Sequence, residues 1–135
     1  MISGTKRIRL AVVGAHLRSQ PLNHQLTDLG AEFVRSARTG PLYRLYELDA
    51  ATPPKPGLLR FASGEGAKIR VEVWDLNSEN FGAFMENVSA PLCIGTIELE
   101  DGKSVKGFLC EAHVIPAARD ITEFGGWVEY LNRDG

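Results

Sequence analysis

The chain has 135 residues, 44% hydrophobic and 24% charged, which predicts one packed domain over residues 1–135 rather than a two-domain enzyme. Fifteen Lys and Arg against seventeen Asp and Glu give a net charge of −2, without the basic excess typical of nucleic-acid binding. No apolar stretch approaches the about 18 residues of a membrane helix, and no secretory leader is evident. We therefore expect a cytoplasmic protein with neither a nucleic-acid nor a membrane partner.

Residues 8–48 predict a strand, a turn, a helix and then two further strands. Residues 8–13 are β-branched and apolar and predict a buried strand that ends in a turn at Gly14. Apolar residues at helical spacing after Pro21 predict a helix over residues 21–29, closed by Gly30. Alternating residues then predict strands over 32–37 and 42–48, with a turn at residues 39–41 between them.

The middle of the chain is rich in proline and then alternates. Prolines at positions 53, 54 and 56 predict that residues 50–57 cross the surface as an extended connection. Strands are predicted over 58–62 and 69–76. After an N-cap at Ser78, a helix ending before Pro91 is predicted to pack against the core through an apolar stripe of Phe81, Phe84, Met85 and Val88.

The last third predicts a hairpin and a docked tail. Residues 93–100 and 104–110 form the two strands, and Asp101-Gly102 is typical of a type I′ turn. The tail should dock on the body through Phe124, Trp127, Tyr130 and Leu131. Six or seven short strands with such short gaps cannot all be parallel, so we predict an α+β fold, a small mixed, barrel-like sheet with two or three short helices.

The chain offers little to bind a metal or a cofactor. Cys93 and Cys110 lie in predicted strands without zinc-site spacing and are expected to be buried free thiols. No Asp or Glu has the spacing to a histidine that a metal triad needs, and neither a nucleophile elbow nor a phosphate-binding glycine signature is present. We predict no metal and no cofactor. Three cations could balance an anionic ligand, although a solvated side chain is the simpler interpretation of each: Lys55, Lys106 and Arg119.

The turn after the first strand is the candidate site. Successive amides in a turn near a helix N-terminus can bind a carboxylate. His16 and His24 flank this turn, and histidine is the side chain best suited to proton exchange near neutral pH. A strand, glycine turn and helix is also a common purely structural arrangement, so the sequence leaves both interpretations open.

Three co-linear stretches resemble the C-terminal domain of allophanate hydrolase. They are residues 14–26 (GAHLRSQPLNHQL), 106–111 (KGFLCE) and 118–127 (ARDITEFGGW), and the likeness extends from about Arg9 to Leu131. The resemblance implies a γ-glutamyl cyclotransferase-like fold, in which the loop after the first strand holds substrate by main-chain amides. Here that loop corresponds to residues 13–17.

The resemblance also implies an activity. In allophanate hydrolase an amidase domain removes ammonia from allophanate, and the C-terminal domain is thought to decarboxylate the product, N-carboxycarbamate. For this chain it implies a small mono- or dicarboxylate substrate, His24 as proton donor and His16 as the second choice. Main-chain groups of Gly14, Ala15, His16 and Leu17 would bind one carboxylate, and the rest of the substrate would be oriented by Asn23, Gln25 and Tyr43.

Other functions remain open at this point. The chain could act with a separately encoded amidase, act on a different small carboxylate, or be a non-catalytic small-acid-binding or dimerisation module, with a homodimer as one arrangement. A γ-glutamyl cyclotransferase-like activity is a further alternative. Against it, Val88 stands where the cyclotransferases have their catalytic acid, although Glu86 is two residues away.

Overall fold

The computed structural model describes residues 6–48 and 54–134. Its strands are β1 Arg7–Val12, β2 Glu32–Arg38, β3 Tyr43–Leu48, β4 Lys55–Arg60, β5 Arg70–Asn77, β6 Leu92–Glu98, β7 Ser104–Cys110 and β8 Arg119–Asp120. Its α-helices are α1 His24–Thr27, α2 Ser78–Met85 and α3 Trp127–Leu131, and short 3-10 helices cover Ala112–Ala117 and Thr122–Phe124. The predicted strands and helices are thus found in their predicted order, and β8, α3 and the two 3-10 helices are elements whose positions were not predicted.

The described strands form two sheets. Five strands are ordered β2-β5-β1-β7-β6 and three are ordered β4-β3-β8. The β1–β7 pair is parallel and the other pairs are antiparallel, so the mixed α+β class is confirmed. The barrel-like closure is not confirmed, because neither sheet closes in the described residues. The two edges of the larger sheet approach each other at an isolated bridge between Thr39 and Leu99.

The core surrounds β1, which lies in the centre of the larger sheet. The last three residues of β1, Leu10, Ala11 and Val12, are consecutive and all buried, because both faces of the strand are covered at its C-terminal end. Along the predicted stripe Phe84 is fully buried, and Phe81, Met85 and Val88 are half-buried. Phe81 and Val88 also pack against the core, although α2 ends at Met85, before Val88. Trp127 and Tyr130 dock the tail as predicted, but Leu131 is 42% exposed.

The proline-rich connection is shorter than predicted. Residues 50–53 lie outside the described residues, but β4 already begins at Lys55, and Pro56 pairs with Glu47 of β3. The prediction is therefore wrong for residues 55–57. Proline is tolerated here because β4 is the edge strand of its sheet, so the missing amide hydrogen leaves no neighbouring acceptor unpaired.

Several boundaries differ for local reasons. The first helix is confined to four residues with turns on both sides, and the second is capped by Asn77, not Ser78, since the Asn77 side chain accepts from the Asn80 amide at 2.7 Å. In the hairpin turn Gly102 alone has a positive φ, so the type I′ prediction is wrong. The Gly102 amide donates to Leu99, as in a type I turn followed by a glycine bulge.

Both cysteines are free thiols, as predicted, but only Cys110 is buried, and Cys93 is partly exposed. Burial raises the pKa of the Cys110 thiol to about 11. Among the described helices, none has the length and apolar character needed to cross a bilayer.

Candidate functional site

A buried loop follows the central strand. Residues 14–17 are all buried, and the Leu17 amide donates to the Gly14 carbonyl at 3.0 Å to close a tight turn. Position 14 requires glycine, because a Cβ there would collide with the ring of Pro56 in β4. The start of β4 therefore lies directly against the loop.

The backbone amides of this loop differ in whether they have a hydrogen-bond acceptor. The Leu17 amide is already bonded within the turn, so the prediction that it binds a ligand is wrong. In contrast, the amides of Gly14, Ala15 and His16 donate to no acceptor among residues 6–48 and 54–134. Buried amides are rarely left without an acceptor, so these three donors are the part of the loop suited to an anion.

The imidazole of His16 lies inside the loop and is 7% exposed. It stacks on Phe108 of β7 with ring centres 5.0 Å apart and meets the edge of Phe84 of α2 at 5.2 Å. Its Nε2 atom is hydrogen bonded to Gln25 Oε1 at 2.8 Å. Burial lowers the pKa of His16, and the positive charge of Lys55 and nearby His24 lower it further, against the opposite effect of Gln25. The ring is therefore neutral near pH 7.

Two predicted orienting residues act on the loop. The Asn23 Nδ2 atom donates to the His16 carbonyl at 2.8 Å, and the Leu22 amide donates to the Ala15 carbonyl at 2.8 Å. With the Gln25–His16 bond, these contacts fasten the loop to the first turns around α1. The structure thus brings His16, Asn23 and Gln25 together.

The other two predicted side chains lie elsewhere. His24 is exposed, and its Nδ1 atom is 3.1 Å from the Pro21 carbonyl oxygen. Tyr43 is fully buried, and its hydroxyl accepts from the Glu98 amide at 2.9 Å. Tyr43 pairs with Arg60 at the far end of β4 from Pro56, four strand positions or about 13 Å away. The structure therefore places Tyr43 in the core, away from the loop.

The sequence did not predict the role of Glu72, a carboxylate that binds Arg18, the residue directly after the loop. Glu72 of β5 is 8% exposed and accepts from the Arg18 amide at 2.9 Å, from Arg18 Nε at 3.1 Å and from Trp74 Nε1 at 3.2 Å. The Arg18 guanidinium lies 3.8 Å above the Phe33 ring of β2. In the sequence Glu72 alternates with apolar residues and resembles an outward-facing charge, so no local signal marked it.

The described residues offer no metal site, since no three His, Cys, Asp or Glu side chains among them gather as ligands. A surface depression exists at the opposite end of β1 from the loop, lined by Arg7, Arg9, Ser104 and Lys106 among others, and it contains no histidine. The Gly14 loop is thus where backbone donors and an imidazole coincide.

Known proteins resemble this chain in both sequence and fold. The family described as the allophanate hydrolase C-terminal domain matches residues 8–132. The chain belongs to this family. Its members include a urea amidolyase from Lachancea kluyveri, 42% identical over 134 residues, which cover 97% of this chain and 7% of that protein. The chain thus spans less than a tenth of the length of the curated relatives it matches.

Solved structures of the family superimpose closely. Kluyveromyces lactis allophanate hydrolase is 41% identical with a TM-score of 0.91, over 95% of this chain and 21% of that one. A uropathogenic E. coli-specific protein is 35% identical with a TM-score of 0.86, over 96% of this chain and 99% of that one. A γ-glutamyl cyclotransferase, 12% identical with a TM-score of 0.60 over 78% of this chain and 68% of that one, confirms the predicted fold relationship and nothing further.

Proposed function

We propose that this domain decarboxylates N-carboxycarbamate, or a closely related small carboxylate, as the second step of allophanate breakdown. The observation that carries the proposal is the buried loop, in which three amides without a described acceptor adjoin the imidazole of His16. An amidase that acts on allophanate would supply the substrate. Two relatives are a urea amidolyase and an allophanate hydrolase, which supports this class of substrate.

The reaction needs a proton at nitrogen. In N-carboxycarbamate two carboxylates share one nitrogen. When one C–N bond breaks, CO₂ leaves and the electron pair of that bond stays on nitrogen, where a proton must arrive. Carbamate is the other product. The site must therefore hold a doubly charged molecule and deliver one proton.

We assign the proton delivery to His16. Its lowered pKa keeps the free ring neutral, and a bound dianion would oppose that effect by stabilising the imidazolium. Substrate binding would then draw a proton onto the ring beside the scissile bond. After transfer to nitrogen, the neutral ring is restored and the next proton comes from water. Gln25 would keep the ring orientation constant through this cycle, since its carbonyl oxygen accepts from Nε2.

His16 replaces His24 as the first choice because of their surroundings. The His16 ring is enclosed by Phe84 and Phe108, and the His24 ring is exposed and bonded to a backbone carbonyl of its own turn. Around a buried imidazole the dielectric constant is lower than in water, so the charge of a bound substrate raises its pKa more than it raises the pKa of an exposed imidazole. His24 remains close enough to influence the His16 pKa.

The test compares the two histidines directly. The domain is mixed with an amidase that forms N-carboxycarbamate, and CO₂ release is followed with and without it. We expect acceleration by the wild type, a loss of about 10²–10⁴-fold in His16→Asn, and a change of no more than a few-fold in the matched His24→Asn variant. Absence of acceleration by the folded wild type would refute the proposal.

The cyclotransferase alternative has little structural support. Val88 is a half-buried apolar residue packed against the core, and Glu86 is the exposed C-cap of α2. Neither provides a buried acid at the loop. Release of 5-oxoproline from γ-glutamyl amines would nevertheless establish that activity. Stabilisation of the domain by malonate without any CO₂ release would instead indicate a binding module.

A further inference from the structure

We propose that Lys55 completes the anion site and makes it select ligands with two negative charges over ligands with one. This inference rests on the proposed function, since it assigns the second charge of the substrate to a particular side chain. It concerns the residue with which β4 begins.

Strand geometry directs Lys55 toward the site. Phe108, which stacks under His16, and Cys110 are two residues apart in β7 and therefore face the same side. A Cβ on Gly57 would lie 2.7 Å from Cys110 Sγ, so that face of β4 is turned toward the same side of β7. Lys55 is two residues before Gly57 and shares its face.

Pro56, the residue after Lys55, shows how closely β4 approaches the loop. The Pro56 ring packs against Gly14 so closely that no side chain would fit there. Consistent with this proximity, the charge of Lys55 contributes to the lowered pKa of His16. Lys55 is half-buried, so its ammonium group is less screened by water than that of a fully exposed lysine.

The chemistry of the site requires such a cation. The three loop amides provide partial positive charge for one carboxylate. His16 is neutral before a ligand binds, so it supplies no charge that would attract the second carboxylate into the site. Arg18 is the nearest arginine in sequence, but its guanidinium is bonded to Glu72 at 3.1 Å and stacked on Phe33. Lys55, whose charge already acts on His16, is therefore placed to balance the second carboxylate.

Calorimetry with two ligands of equal size tests the inference. Malonate carries two carboxylates near pH 7.5, and malonamate has an uncharged amide in place of one. We expect the wild type to bind malonate at least about tenfold more tightly than malonamate, as a hydrogen bond to a charged group contributes. Lys55→Gln should bind both ligands equally weakly, and Lys55→Arg should retain the preference. Lys103→Gln, in the exposed hairpin turn, is the matched control and should behave as wild type.

The outcomes separate the two proposals. If the wild type prefers malonate and a folded Lys55→Gln variant does so equally, the role of Lys55 is refuted and the loop site stands. If the wild type binds malonate and malonamate equally, the selectivity is refuted. If it binds neither ligand, the anion site of the proposed function fails as well.

Discussion

The Nε2 atom of His16 lies 2.8 Å from Oε1 of Gln25, nine residues further along the chain. An amide oxygen can only accept, so in the neutral ring the proton resides on Nε2 and the lone pair on Nδ1. This bond therefore sets the tautomer of the ring and at the same time ties the loop after β1 to α1. A substrate would meet an imidazole that is already oriented.

The pKa of His16 should move in opposite directions in two variants. Lys55→Gln removes a positive charge that disfavours the imidazolium, so the pKa should rise. Gln25→Leu removes the acceptor that favours the imidazolium, so the pKa should fall further below its usual value. Titration of the ring resonances by two-dimensional NMR measures both, with Lys103→Gln as the control. Shifts of the same sign in both variants would contradict the arrangement.

Glu72→Gln should destabilise the protein by about 1–2 kcal/mol, because an amide group would face the donors of Arg18 and Trp74 in a buried position. Urea denaturation gives the free energy of unfolding. The control is Glu100→Gln, which removes an exposed carboxylate paired with Arg38, and its effect should be smaller. Equal losses of stability in the two variants would show that the buried hydrogen bonds of Glu72 to Arg18 and Trp74 contribute no more than an exposed ion pair.

Tyr43→Phe should lower the free energy of unfolding by about 1–3 kcal/mol, because the Tyr43 hydroxyl accepts a hydrogen bond from the Glu98 amide. Malonate binding should not weaken, because this hydroxyl lies in the core, away from the loop. Thermal denaturation and calorimetry report the two effects separately. Tyr130→Phe removes a longer contact, 3.4 Å from Arg119, and should cost less stability. A loss of malonate affinity in Tyr43→Phe would return this residue to the site.

Alanine at two glycines should have effects of opposite sign. Gly14→Ala should destabilise by about 1–3 kcal/mol, because the new methyl group collides with Pro56. Gly82→Ala, in α2 with open space around it, should stabilise by about 1 kcal/mol through helix propensity. Denaturant unfolding of both variants checks the pair. A stable Gly14→Ala variant would show that β4 can move away from the loop.

Local patterns predicted the strands well where alternation and turn residues agreed, as in β5 and β7. They failed where a tertiary neighbour decided. Pro56 lies in a strand because β4 is an edge, and Glu72 is buried because Arg18 and Trp74 donate to it. The edge position of β4 is a property of the whole sheet, and Arg18 lies 54 residues before Glu72, so the sequence around Pro56 or Glu72 reveals neither cause.

The mixed α+β class, the family and the position of the loop after the first strand could all be predicted from the amino-acid sequence, because periodicity, turn residues and long motifs are properties of consecutive residues. The folded structure was needed to show that His16 is enclosed while His24 is exposed, that Tyr43 belongs to the core, and that Lys55 begins a strand packed on Gly14. These relationships join residues far apart in the chain. They depend on which faces of the two sheets meet, and no local pattern contains that information.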